Sequence, residues 1–213
     1  DNMYGYPDDG ERFAFYALAV TDMLEHLDYF PAIIHSNDWQ AGMIPLLCKY
    51  RHDKDERYRA IRHVYTIHNL LFQGNFPPAM LESCLDLPMD LFNDGTLRQG
   101  RDINFMKAGI LFADKITTVS NTYAHEILTP EYGEGMENVL SGRSWDIWGI
   151  VNGIDTKMWN PAKDRRIAKT YSLKNMAGKA ECKRHLQEMM GLRVSDDTLL
   201  VAMVSRLTEQ KGV

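Results

Sequence analysis

The sequence predicts an α/β protein built on a doubly wound, mostly parallel sheet, followed by the truncated start of a second domain of the same general kind. Three observations carry this reading. Short apolar and β-branched runs alternate with segments of helical periodicity. The connections between those runs are long enough for parallel crossovers. The alternation breaks once, after Asn152, before a last apolar run at Leu199 to Val204.

In order along the chain, Phe13, Tyr16, Ala17, Val20, Leu24 and Leu27 recur at helical spacing and predict an amphipathic helix over 11–27. A strand at Ala32 to His35, a helix over 39–50 and a strand over 62–67 follow as one crossover unit. The next elements are a helix near 104–112, a strand at 115–119, a helix after Asn121 and a strand near 148–151. Between Asn69 and Arg101 lie Gly74, Pro77, Pro78, Pro88 and Gly95, which read as a long functional loop or lid. The expected organisation is a first domain over 1–152, a linker over 153–178, and the start of a second, Rossmann-like domain over 179–213. That last part contributes a helix near 179–190 and one strand at 199–204. A parallel strand buried on both faces needs neighbours, so residues from about Pro161 onward are not expected to build a sheet of their own, and the 199–204 run is expected to be exposed.

Composition narrows the partners. The chain has 213 residues, 45% of them hydrophobic, enough to bury a sizeable core. A formal net charge of -5 gives no basic field, which argues against nucleic acid and against anionic membrane surfaces. No apolar run reaches the ~18 residues of a membrane span. Cys48, Cys84 and Cys182 are odd in number and far apart, in no C-x-x-C pattern, which fits buried thiols in a reducing compartment. No histidine spacing of the H-E-x-x-H kind is present, so no metal is expected. The chain opens on Asp1-Asn2 rather than Met, so its natural start is expected upstream.

Ligands of doubly wound sheets sit at the carboxyl ends of the strands, and four segments fall there. In His35-Ser36-Asn37-Asp38-Trp39, Asp38 lines that edge or caps the next helix. In Thr66-Ile67-His68-Asn69, His68 has the chemistry to bond a hydroxyl or move a proton, with a structural role as the alternative. In Val151-Asn152-Gly153-Ile154-Asp155, the Asn-Gly pair by itself signals a turn. In Ser205 to Gly212, Arg206 and Lys211 can converge on one anion such as a diphosphate, or remain a solvated pair.

Taken together and in order, DDGERFAFY (8–16), IIHSNDWQAG (33–42), YTIHNLLFQGNF (65–76), DINFMKAGILFADKITTVSNTYAHEI (102–127), GIVNGIDTKMWNP (149–161) and VSRLTEQKG (204–212) resemble the bacterial glycogen synthase and plant starch synthase family. The resemblance implies the two-domain GT-B fold and a retaining transfer of glucose from ADP-glucose to the nonreducing end of an α-1,4-glucan, glycogen or starch. It implies that Arg206 and Lys211 neutralise the departing diphosphate, that His68 and Asp38 line the donor sugar, and that Asn152 lies near that sugar with Gly153 freeing the backbone for a turn. No cofactor is implied beyond ADP-glucose as donor substrate. The location implied is the cytoplasm of a bacterium, or the plastid stroma of a plant. Rival readings are another GT-B transferase and a nonenzymatic glucan-binding module, for which Trp39, Tyr123, Trp145 and Trp148 are candidate stacking residues.

Two segments that this family carries, K-x-G-G-L before the matched region and E-P-C-G-L after it, are not in the sequence. The 213-residue chain by itself is therefore expected to lack synthase activity. The check is incorporation of labelled glucose from ADP-glucose into glycogen by the purified chain, where measurable transfer would contradict the expectation.

Overall fold

A computed structural model describes residues 3–208, 211 and 212. The chain divides after Asn152 into two compact units. In the first, helix α1 (Asp9–His26) precedes strand β1 (Ile33–Asn37), and a 3-10 turn (Trp39–Ala41) leads into α2 (Met43–Leu46), whose last turn widens to a π-helix at Leu47–Arg51. Then come α3 (Glu56–Ala60), β2 (Arg62–Ile67), β3 (Asn75–Phe76), α4 (Met80–Cys84), α5 (Asp90–Asn93), β4 (Arg98–Gln99), β5 (Asp102–Asn104), α6 (Phe105–Phe112), β6 (Lys115–Thr118), α7 (Asn121–Glu126), α8 (Glu137–Ser141), and, after a 3-10 turn, β7 (Ile147–Gly149).

The main sheet has the order β1-β2-β6-β7 with every pair parallel. Each strand is added on the same side of the one before it. Right-handed crossovers in a single direction bring all the connecting helices to one face. On the covered face, His63, Tyr65, Ile67, Ile116 and Thr118 are buried. On the other, Ile33, His35, Asn37, Arg62, Lys115 and Trp148 remain exposed. Tyr65 packs against α6 at Gly109, where any Cβ would run into the ring, so the glycine sets the helix-to-sheet distance.

Two sequence expectations change. The apolar stripe of α1 is rotated: Ala14, Ala17 and Leu24 are fully or nearly buried while Tyr16 and Leu27 are exposed. Small alanines let α1 approach α2 closely, and larger neighbours go to the margin. The stretch 69–101 is also no open loop. It folds into α4, α5 and a small antiparallel sheet of order β3-β5-β4 over the buried residues Leu81, Leu85, Leu87, Leu91 and Leu97. Lys107 fastens this layer, donating from Nζ to the carbonyls of Gly95 and Arg98 at 2.8 Å each. Burial, helped by Arg98, holds its pKa below the ordinary lysine value.

The C-terminus of α6 is capped from a distance. Arg143 donates to the carbonyl oxygens of Ile110, Leu111 and Ala113 at 2.7, 3.1 and 2.8 Å, satisfying groups that a helix end leaves open. Cys48 is fully buried, and burial pushes its thiol up to about 12.

The second unit holds α9 (Ala177–Met189) and otherwise irregular chain. Arg184 and Asp196 form a two-bond ion pair at 2.9 and 2.7 Å, and Gln187 exchanges two bonds with the Ser195 backbone at 3.3 Å each. The run 199–204 is not a strand: Leu199 is 84% and Val204 100% exposed. Among the described residues no second strand pairs with it, and an apolar run cannot make a sheet alone. The isolated bridge Ser172 to Asn175 is the β-pairing described in this unit.

His63 generates a pH prediction. It is fully buried in β2 with neither ring nitrogen hydrogen-bonded among the described residues, and burial, aided by Lys49 and opposed by Asp114, lowers its pKa to about 4. Between that value and the ordinary 6.5, the unfolded chain binds more protons than the folded one, so stability rises with pH across this window and is lost as pH falls through it. The full effect is up to about 3 kcal/mol. In urea titrations from pH 7 to pH 5, above the range where carboxylates titrate, His63→Leu should flatten most of that loss, leaving a smaller contribution from His52, whose burial also lowers its pKa.

Candidate active site at the strand ends

The carboxyl ends of β1 and β2 are tied together by one short set of bonds. Asp38 does not cap the turn that follows it, since its side chain makes no cap bond there. Its Oδ1 instead accepts the backbone N–H of His68 at 2.8 Å, while its own N–H donates to the Thr66 carbonyl at 2.9 Å. The His68 ring then meets Asn37, with Nε2 at 3.0 Å from Oδ1. Asp38 accomplishes this with φ 55° and ψ -177°, a conformation normally left to glycine that costs of order 1–3 kcal/mol. Strain of that kind persists where the surroundings over-determine it.

Below the rim a polar ladder crosses three strands. His35 Nε2 lies 2.6 Å from Thr66 Oγ1, which lies 2.5 Å from Thr117 Oγ1. The loop after His68 is pinned at three places. Leu70 N–H donates to the Tyr123 hydroxyl at 3.2 Å; Gln73 donates to the carbonyls of Leu70 and Glu134 at 3.1 and 3.0 Å; and Asn104 Nδ2 donates to Gln73 Oε1 at 2.7 Å. Gly74, at φ 66°, has the Trp39 ring 2.6 Å from where a Cβ would stand, so the histidine loop and the Asp38 segment are also packed together.

The residues expected at the site from sequence fare differently. Asp38 and His68 are brought into direct contact. Asn152 lies three residues beyond β7, the strand two places from β2 in the sheet order. Gly153 opens the second unit, has no left-handed backbone, and a Cβ there would meet nothing within 4 Å, so the expected need for glycine at a turn does not hold. Arg206 and Lys211 are exposed, and neither side chain has an ion-pair partner among the described residues. Their neighbours Glu209 and Gln210 lie outside the described residues. Trp39 is packed between Phe13 and Phe76, with ring centroids at 4.9 and 5.6 Å, which rules it out as a stacking platform; Trp145 and Trp148 are exposed.

Sequence reasoning missed Asn37, Thr66 and Thr117. The available signal was alternation: Asn37, Thr66 and His68 fall on one face of adjacent strands once the register is known. A groove of about 760 Å³ beside β1 is lined mainly by apolar side chains such as Phe13, Tyr16, Ile34 and Ile44; His35 and Asn37 also line it, while neither Asp38 nor His68 reaches it. The polar chemistry is at the rim. Among the described residues no three His, Cys, Asp or Glu side chains gather as metal ligands would, and no helix is long and apolar enough to cross a membrane.

A parallel sheet of this kind takes its ligands at the carboxyl ends of the strands, so the His68–Asp38 pair stands where an α/β enzyme would hold one. Comparison with known proteins makes this specific. A family profile described as the starch synthase catalytic domain matches residues 1–142. A glycogen synthase of Clostridium kluyveri is 46% identical over 213 residues, covering 100% of this chain and 45% of that protein. One of Streptococcus equi subsp. equi is 47% identical over 210 residues, covering 99% of this chain and 44% of that protein. The solved catalytic domain of Starch Synthase IV from Arabidopsis thaliana, bound to ADP and acarbose, superposes with a TM-score of 0.78 at 34% identity, covering 90% of this chain and 39% of that one. The chain belongs to the starch and glycogen synthase family of glycosyltransferases, and it spans a little under half the length of the curated relatives it matches.

The clamp can be tested directly. Asp38→Ala removes the acceptor of the His68 amide and should raise its hydrogen-exchange rate roughly tenfold, about 1–2 kcal/mol of local protection. Asp38→Asn keeps an accepting oxygen and should retain most of that protection.

Proposed function

We propose that this chain supplies one wall of a donor-sugar pocket, together with two diphosphate contacts, in an enzyme that transfers glucose from ADP-glucose to the nonreducing end of an α-1,4-glucan with retention. The observation that carries the reading is the Asp38–His68 clamp, because it fixes the backbone of a residue with a hydrogen-bonding ring at the sheet edge where such folds take ligands. The ADP and acarbose held by the related Arabidopsis structure support the same ligand classes, a nucleoside diphosphate and an α-glucan-like oligosaccharide.

Within this proposal residues 1–152 are the acceptor-side domain and 179–213 begin the nucleotide-binding one. His68 meets a hydroxyl of the donor glucose. Asp38 commits Oδ1 to the His68 amide, which leaves its second oxygen for the sugar. Asn152 borders the sugar from β7, with Gly153 beside it. Arg206 and Lys211 neutralise charge that develops on the diphosphate as the glycosidic bond breaks, a task suited to preorganised cations. With positive side chains in that role, neither metal nor cofactor forms part of the proposal. The bacterial relatives support the cytoplasm over the plastid stroma.

Calorimetric titration of the chain with ADP, ADP-glucose and maltoheptaose tests this. Binding of ADP that weakens roughly 10- to 100-fold in Arg206→Ala or Lys211→Ala is expected, from about 1.5–3 kcal/mol per charge-assisted contact. Maltoheptaose affinity with no response to ADP would overturn the transferase reading in favour of a glucan-binding module.

A further inference from the structure

The ring of His68 is exposed, and its single contact on the nitrogens among the described residues is Nε2 to Asn37 Oδ1 at 3.0 Å. An amide oxygen can only accept, so the nitrogen that faces it carries the hydrogen. The sense of the Asn37 amide is set by its other end, where Nδ2 lies 3.5 Å from the His35 carbonyl oxygen. That bond is long and weak. The reversed amide would nevertheless place oxygen against oxygen at His35; the His68 ring accommodates either sense by changing tautomer, so the His35 contact is the one that selects the orientation. The His35 segment is in turn held by its strand pairing with β2 and by the ladder through Thr66 and Thr117.

We infer that Asn37 is a positioning residue that fixes His68 in the Nε2–H tautomer, so that the neutral ring presents Nδ1 as a lone-pair acceptor to a hydroxyl-bearing ligand at the rim. Nδ1 has no hydrogen-bond partner among the described residues, while the backbone of His68 is already secured by Asp38. The division of labour is that Asp38 places the residue and Asn37 decides which face of its chemistry is offered. A ligand hydroxyl meeting Nδ1 must donate, which leaves its own lone pairs free for other partners. The identity of that ligand as a sugar rests on the proposed function above; the tautomer does not.

Long-range ¹H–¹⁵N spectra of the 213-residue chain labelled in histidine, recorded well above the imidazole titration range, read the tautomer. A pyrrole-type Nε2 and a pyridine-type Nδ1 on His68 are expected. In Asn37→Leu the two nitrogen shifts should converge as an Nδ1–H population appears, and in Asn37→Asp, which retains an accepting oxygen, they should return to the wild-type separation. Unchanged protection of the His68 amide verifies that the clamp survives each substitution. An Nδ1–H ring in the unsubstituted chain, or identical nitrogen shifts in Asn37→Leu, overturns the inference. Addition of ADP-glucose should move Nδ1 more than Nε2. If neither moves while Nε2–H is retained, the tautomer assignment stands and the donor-pocket reading fails.

Discussion

The bond from the His68 amide to the Asp38 carboxylate is the constraint on which the rest of the rim depends. Parallel strands bring their carboxyl ends to one edge, but nothing in strand pairing dictates how the chain leaves that edge. Here the exit of β1 is bound to the exit of β2, both through Asp38 Oδ1 and through the Asp38 amide on Thr66. Everything that follows His68 is then oriented by where that bond puts it. Tyr123, Gln73 and Asn104 hold the subsequent residues, and Trp39 is pressed on Gly74 from the Asp38 side. A carboxylate on a backbone N–H is a charge-assisted bond, stronger than its neutral equivalent, which suits a link that holds two strand exits together at an exposed edge.

Winding in one direction separates the tasks of the sheet. The helices α2, α6 and α7 pack on a single face, and the largest buried side chains, Tyr65, Ile67 and Phe105 among them, belong to that side. Stability is concentrated there, in apolar contact and in the long-range cap that Arg143 places on α6. The rim is built instead from side-chain and backbone hydrogen bonds between residues about thirty positions apart. The two sets touch at Tyr65, whose ring packs on Gly109 and whose hydroxyl is raised well above its ordinary pKa by burial and then by the charge of Asp38.

Much of this was legible in the sequence, for reasons that can be located. The strands at 33–37, 62–67 and 115–118 are rich in Ile, Val and Thr, and the helices at 105–112 and 177–189 are stretches of good helix formers with no proline, so local composition sufficed. The layer between 69 and 101 was hidden because its leucines are spaced irregularly among prolines and glycines and acquire a common core only through Lys107 and the β3-β5-β4 pairing. The segment 199–204 shows the converse: its residues favour a strand, yet a strand is a property of a pair. At the site, Asp38 and His68 were visible as strand-end residues. The role of Asp38 was not, because a cap is a local arrangement and its real partner lies thirty residues on. Asn37 and Thr117 were hidden for the same reason.

Asp38 stands under two unrelated demands. Its backbone at φ 55° and ψ -177° admits glycine easily and every side-chain-bearing residue poorly. Its side chain must place an acceptor on an amide of the neighbouring strand exit. Glycine meets the first demand and fails the second; glutamate carries the acceptor but suits neither the backbone nor the distance; alanine and valine meet neither. Among the residues that one nucleotide change in an aspartate codon can reach, asparagine comes nearest to meeting both. Genetic drift at this position therefore has almost nowhere neutral to go, and the restriction comes from conformational geometry as much as from chemistry.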